Sequence, residues 1–141
     1  MRLKNKLTLF YITSIFSMLV AVLGFSYNAW RMELTEDNSN IRTASFEVLS
    51  QLSEMEQMIF SAHYDKNLEE GNPRKVWIKV GLIVDLSFLI SPRIEVAADD
   101  LKLIWREHWQ RIVKDESAAK KVIAQIDLIR SEIKVELKGL Q

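Results

Sequence analysis

Apolar residues fill the chain from Leu7 to Trp30, LTLFYITSIFSMLVAVLGFSYNAW, twenty-four positions without a formal charge. As a helix this stretch rises about 36 Å, enough to cross the ~30 Å hydrocarbon core of a bilayer. Only a helix pairs its own backbone groups in lipid, so a transmembrane helix is expected here. Polar Thr13, Ser14, Ser17, Ser26 and Asn28 are tolerable within it. Tyr27 and Trp30 suit one interface, Phe10 and Tyr11 the other. The competing reading is a cleaved signal peptide. The apolar stretch is longer than a signal core, and only Val22-x-Gly24 offers a cleavage triplet, so an uncleaved anchor is expected.

From Arg31 to about Tyr64 the pattern becomes periodic. Leu34, Ile41, Val48, Met55 and Ala62 recur at sevens, joined on one face by Leu52 and Ile59. Asn38 and Ser45 hold that second seam near the apolar stretch, so the stripe weakens toward it. No Gly or Pro separates this helix from the first, although the TEDNSN run is a place where it could break.

The next breaks are plain. DKNLEEGNP, residues 65–73, ends one helix and starts another, with Pro73 near the first helical position. Val76–Ile90, VWIKVGLIVDLSFLI, is apolar almost all round. It is too short for a second span and carries Lys79 and Asp85, so it is expected to be a helix buried on several sides. Its β-branched content leaves a strand open as the other reading. Ser91-Pro92 marks a further start, with Ser91 as the N-cap. From there to Gly139, Trp105, Ile112, Ala119, Ile126 and Ile133 keep sevenfold spacing, with Leu101, His108, Asp115, Val122 and Ile129 beside them. The register passes Lys114–Ser117 without a slip and favours one long helix. A fresh helix capped by Asp115 or Ser117 is the alternative.

The expected fold is therefore all-α: residues 1–6 a basic start, 7–30 a transmembrane helix, and 31–141 an antiparallel helical bundle. That bundle is either four helices or a long hairpin with one short buried helix. Two long seams and an all-round apolar helix exceed what such a bundle needs internally. The surplus predicts a homodimer, parallel because both copies share one membrane face, with Val48, Met55, Ile126 and Ile133 as candidate dimer seam.

Charge refines the placement. Arg2, Lys4 and Lys6 precede the apolar stretch, whereas Glu33, Glu36 and Asp37 follow it. The basic side stays in the cytoplasm, which predicts a single-pass protein with its bulk outside, in a bacterial inner membrane facing the periplasm. The 19 basic and 19 acidic residues balance, so no field favours nucleic acid. There are no cysteines, and with them go disulfides, thiolate metal sites and cysteine nucleophiles.

Little points to chemistry. The four glycines are scattered, so no phosphate-cradling loop is present, and His63 and His108 lack metal-ligand spacing. No catalytic residue, metal or cofactor is expected, and the protein is not read as an enzyme. Trp105-Arg106-Glu107-His108-Trp109 is the most unusual local composition. Two indoles one turn apart, an imidazole, and Arg106 or Arg111 form a candidate ligand- or partner-binding set; core packing is the plainer reading.

The order of parts resembles a family. MRLKNKL, the apolar anchor and IRTASFEVLSQLSEMEQMIFSAHY resemble the N-terminal region of bacterial chemoreceptors and sensor histidine kinases. QLSEMEQMIFSAHYD is similar to the end of the first sensor helix in such domains, the trimethylamine-oxide-type kinases included. The resemblance implies a periplasmic helical-bundle sensor that binds a small molecule or a protein. A second span, signalling linker and kinase core do not follow Leu140. Taken as a whole protein, the chain is then expected to be a non-catalytic accessory subunit of a larger membrane complex; taken as a fragment, a sensor.

Overall fold

The computed structural model describes residues 2–140, with side chains from Asn5 onward. Four α-helices follow one another: α1 (Arg2–His63), α2 (Pro73–Ser87), α3 (Pro92–His108) and α4 (Glu116–Gly139). Among the described residues there is no strand, so Val76–Ile90 is helical as far as Ser87 and then turns. Helical structure in α1 continues through TEDNSN. The chain nevertheless divides into two compact units, Met1–Asp37 and Asn38–Gln141.

The first unit is a single length of helix. Every described side chain from Asn5 to Asp37 is exposed, Phe25 at 77% and Leu23 at 69%. Its most apolar window has a mean hydropathy of 2.1, with none of it buried.

The second unit holds the core. From α1 it takes Val48, Leu52, Met55 and Ile59; from α2, Val76, Val80 and Ile83. Ile94, Leu101 and Trp105 of α3 join Val122, Ile126, Ile129 and Ile133 of α4. The seam read from sequence thus enters the core, but later than expected. Leu34 remains 45% exposed, and the first residue of its line to be partly covered is Ile41.

Polar contacts across the core fix which way the helices run. Arg93 meets Glu132 at 2.6 Å, and the Gln125 side chain donates to the Ala97 carbonyl at 2.8 Å, pairing α3 with α4. Arg130 of α4 donates to Glu56 of α1 at 2.6 Å, and Arg42 to the Leu140 carbonyl at 3.3 Å. Lys79 of α2 pairs with Glu54 of α1. In the α1–α4 and α3–α4 pairings, numbers rise on one helix as they fall on the other. The Glu56 hydrogen bond also raises the pKa of Arg130, which stays charged within a partly buried site.

Local chemistry explains the helix starts. Asn72 accepts from the Arg74 N–H at 2.9 Å, with Pro73 in the first turn where its missing N–H costs little. Ser91 occupies the N-cap of α3 in extended conformation, as its sequence predicts, yet its hydroxyl makes no cap hydrogen bond. The long helix favoured over 92–140 is not formed. Its reversal is set by Asp115, whose carboxylate accepts from Ser117 N at 2.9 Å and Ala118 N at 3.2 Å. Asp115→Ala should lower unfolding stability by about 1 kcal/mol, the usual effect of losing a cap, read as a shift in urea midpoint. An unchanged midpoint would show that the turn forms without its cap.

The expectation that Val76–Ile90 is buried on several sides is corrected. Only Val76, Val80, Ile83 and Ser87 of α2 are enclosed, whereas Ile78 is 72% exposed and Leu82 37%. Trp77, Val84 and Leu86 are partly covered, so α1 and α3 enclose one side of this helix and leave the other open.

Candidate partner-binding site

The tryptophan segment forms at the junction of α2 and α3. Trp105 stands inside the last turn of α3, and Trp109 caps it, its N–H donating to the Trp105 carbonyl at 2.8 Å. Trp77 of α2 completes an aromatic trio. Its ring lies 6.4 Å from that of Trp105 and 6.4 Å from that of Trp109, both edge to face. Such contacts add roughly 0.5–1.5 kcal/mol beyond the area they bury. Sequence spacing finds Trp105 and Trp109 but not Trp77, which lies 28 residues away from the nearer of them.

His108 is buried next to them. Arg111 approaches its Nδ1 at 2.8 Å. A guanidinium can only donate, so Nδ1 accepts and the ring proton sits on Nε2. Arg111 also reaches Asp115 at 3.5 Å, tying the seven-residue turn to its own cap. Arg106 is exposed.

A second histidine holds the same turn from outside. His63, at the end of α1 and 8% exposed, lies with Nδ1 2.7 Å from the carbonyl of Ile112. A carbonyl only accepts, so here Nδ1 carries the proton. Lys66, at positive φ of 54°, donates to the Val113 carbonyl at 2.7 Å. These carbonyls belong to the turn after α3, where the helix no longer supplies donors. Sequence reasoning considered His63 only as a metal ligand. The contact joins segments 49 residues apart, and no local pattern announces it.

What this arrangement can do follows from burial. Trp105 is fully enclosed and its indole N–H has no hydrogen-bond partner, so that ring offers nothing to a ligand. Trp109 is half-buried. The cluster packs α2 on α3 and clamps the 109–115 turn. Other surface grooves are shallow and lie elsewhere. One of about 330 Å³ runs between α1 and α2 along Asn40, Thr43, Ala44, Glu47, Leu86 and Leu89. Among the described residues, no three His, Asp or Glu side chains converge to hold a metal ion.

The four residues read as a dimer seam are all inward. Val48, Met55, Ile126 and Ile133 are each 0% exposed within one chain, which leaves no surface on them for a second copy. The apolar surface beyond the first unit lies elsewhere, on Phe46, Ile78, Phe88 and Val96 among others.

No protein-family model, curated protein or solved structure matches this chain.

Proposed function

We propose that the protein is a single-pass membrane protein whose extracytoplasmic part is an up-down-up-down four-helix bundle acting as a sensory or signalling module. The observation that carries this reading is the most apolar window of the first unit, with a mean hydropathy of 2.1 and none of it buried. A core helix of that composition would be buried; a membrane is the medium that would cover it. Arg2, Lys4 and Lys6 put the N-terminus in the cytoplasm, and a bacterial inner membrane with the bundle in the periplasm follows from the family resemblance.

The bundle acts by engaging a protein rather than a small molecule. Its indoles are spent on packing, whereas α2 carries apolar side chains that nothing in the chain covers. That same balance favours the second reading, a non-catalytic subunit that assembles a larger membrane complex.

The topology is tested by fusion. Alkaline phosphatase joined after Gln141 should be active, and a fluorescent protein that folds only in the cytoplasm should be dark there. The reverse pattern overturns both the orientation and the sensory reading.

A further inference from the structure

α2 has two opposed faces. Val76, Val80, Ile83 and Ser87 face the core. On the other side Lys75, Ile78, Leu82 and Asp85 recur at intervals of three, four and three, the spacing of a helix-pairing stripe. Ile78 and Leu82 are 72% and 37% exposed. Among the described residues, neither Lys75 nor Asp85 makes an ion pair.

Gly81 adjoins this stripe in the middle of the helix. A glycine inside a helix is less favourable than an alanine. Its φ is not positive, and a Cβ would meet nothing within 4 Å, so the chain's own packing does not require it. A bare backbone at that point suits the close approach of another helix.

The order of charges identifies the other helix. Lys75 and Asp85 are equidistant from position 80, and so are Ile78 and Leu82. A second α2 laid antiparallel therefore sets Lys75 against Asp85 of the second copy, twice, and Ile78 against Leu82 of the second copy, twice. A parallel pairing sets lysine on lysine and aspartate on aspartate, which is unfavourable.

We infer that the outward face of α2 is a self-complementary docking surface on which two copies of this chain pair antiparallel. The inference rests on the partner-engaging part of the function proposed above. It moves the dimer face from the four seam residues to α2 and reverses the parallel pairing expected from sequence. Two α2 helices joined in this way are related by a two-fold axis, so each copy offers the same patch to the other. A stripe of this length makes a small interface, in the weak and transient size class.

The test uses the full-length chain in detergent micelles, where the absence of native cysteine gives a clean background. Differently tagged Ile78→Cys and Leu82→Cys copies are co-expressed and oxidised. The mixed 78–82 disulfide should exceed either like-with-like product several-fold. In that background Lys75→Glu alone and Asp85→Lys alone should each cut the mixed product several-fold, and the two together should restore it. All these side chains lie outside the core, so folding is preserved and circular dichroism checks it. Dominant 82–82 product, no crosslinking, or a double variant no better than the singles would overturn the inference. The phosphatase fusion reads the anchor separately, so a monomer of correct topology removes the dimer face and leaves the anchored module standing.

Discussion

Ile83→Asp should unfold the four-helix unit. Ile83 is 0% exposed on the inward face of α2, among apolar side chains of the core. An aspartate there either stays charged without a partner or takes up a proton and still lacks hydrogen bonds. Either state costs several kcal/mol, and the lost isoleucine packing adds to it. Domains of this size are stable by about 5–15 kcal/mol, so the variant should show a melting temperature lowered by ten degrees or more, or no cooperative transition. Circular dichroism in detergent reads this at 222 nm in a far-ultraviolet melt. A melt like that of the parent would place Ile83 on a solvated face.

Gly71→Ala should be nearly as damaging, for a different reason. The chain leaves α1 at His63 and folds back against it, bringing Gly71 onto the helix's last turns. A methyl carbon at Gly71 would stand 2.4 Å from Ala62 N, 2.6 Å from the Met58 carbonyl oxygen and 2.8 Å from Ala62 Cα. All three are backbone atoms, so no side-chain rotation relieves the overlap. The φ of Gly71 is not positive, so the requirement is one of space and not of backbone freedom. Overpacking of this kind costs about 1–3 kcal/mol, and an opponent made of backbone puts the loss at the upper end. Gly139→Ala, where nothing lies within 4 Å, is the control. Equal urea midpoints for the two variants would show that the 64–72 turn can shift away from α1.

These variants also mark how far the sequence was legible. The inward residues of α1 and α4 follow from sevenfold spacing, because a helix buried on one side must repeat its apolar positions. The separate helices α3 and α4 do not follow, and the turn itself is the cause. Residues 109–115 span one repeat of seven, and Ile112 within it is fully buried. The chain reverses while its register stays in step, so spacing alone reads straight through. Asp115 was the local clue, and its capping hydrogen bonds decide the matter.

One misreading concerns surface, and one contact lay beyond local pattern. The apolar surround of α2 was taken to mean burial, but composition cannot distinguish a helix covered by its own chain from one that keeps a face free. Ile78 and Ile83 are alike in sequence and opposite in exposure. The tryptophan cluster was visible as an oddity, while its third ring, Trp77, and the His63 clamp depend on contacts between distant segments that no local pattern encodes.

The two ends of the core are closed differently. Toward one end the enclosed Ser45 hydroxyl lacks a partner beside Ala44, Ser87 and Ile90. Toward the other, Trp105 and Ile112 stand with Ala62 and Ala119, and the His63 clamp ties α1 to the turn after α3. An unpaired hydroxyl gains when water reaches it, whereas a clamped end must first break its hydrogen bond. The helix ends around Ser45 are therefore the first to part, in brief excursions far cheaper than global unfolding, while the tryptophan end stays shut. A unit built with such a gradient does not breathe evenly; it opens from one end, like a sheaf tied at the other.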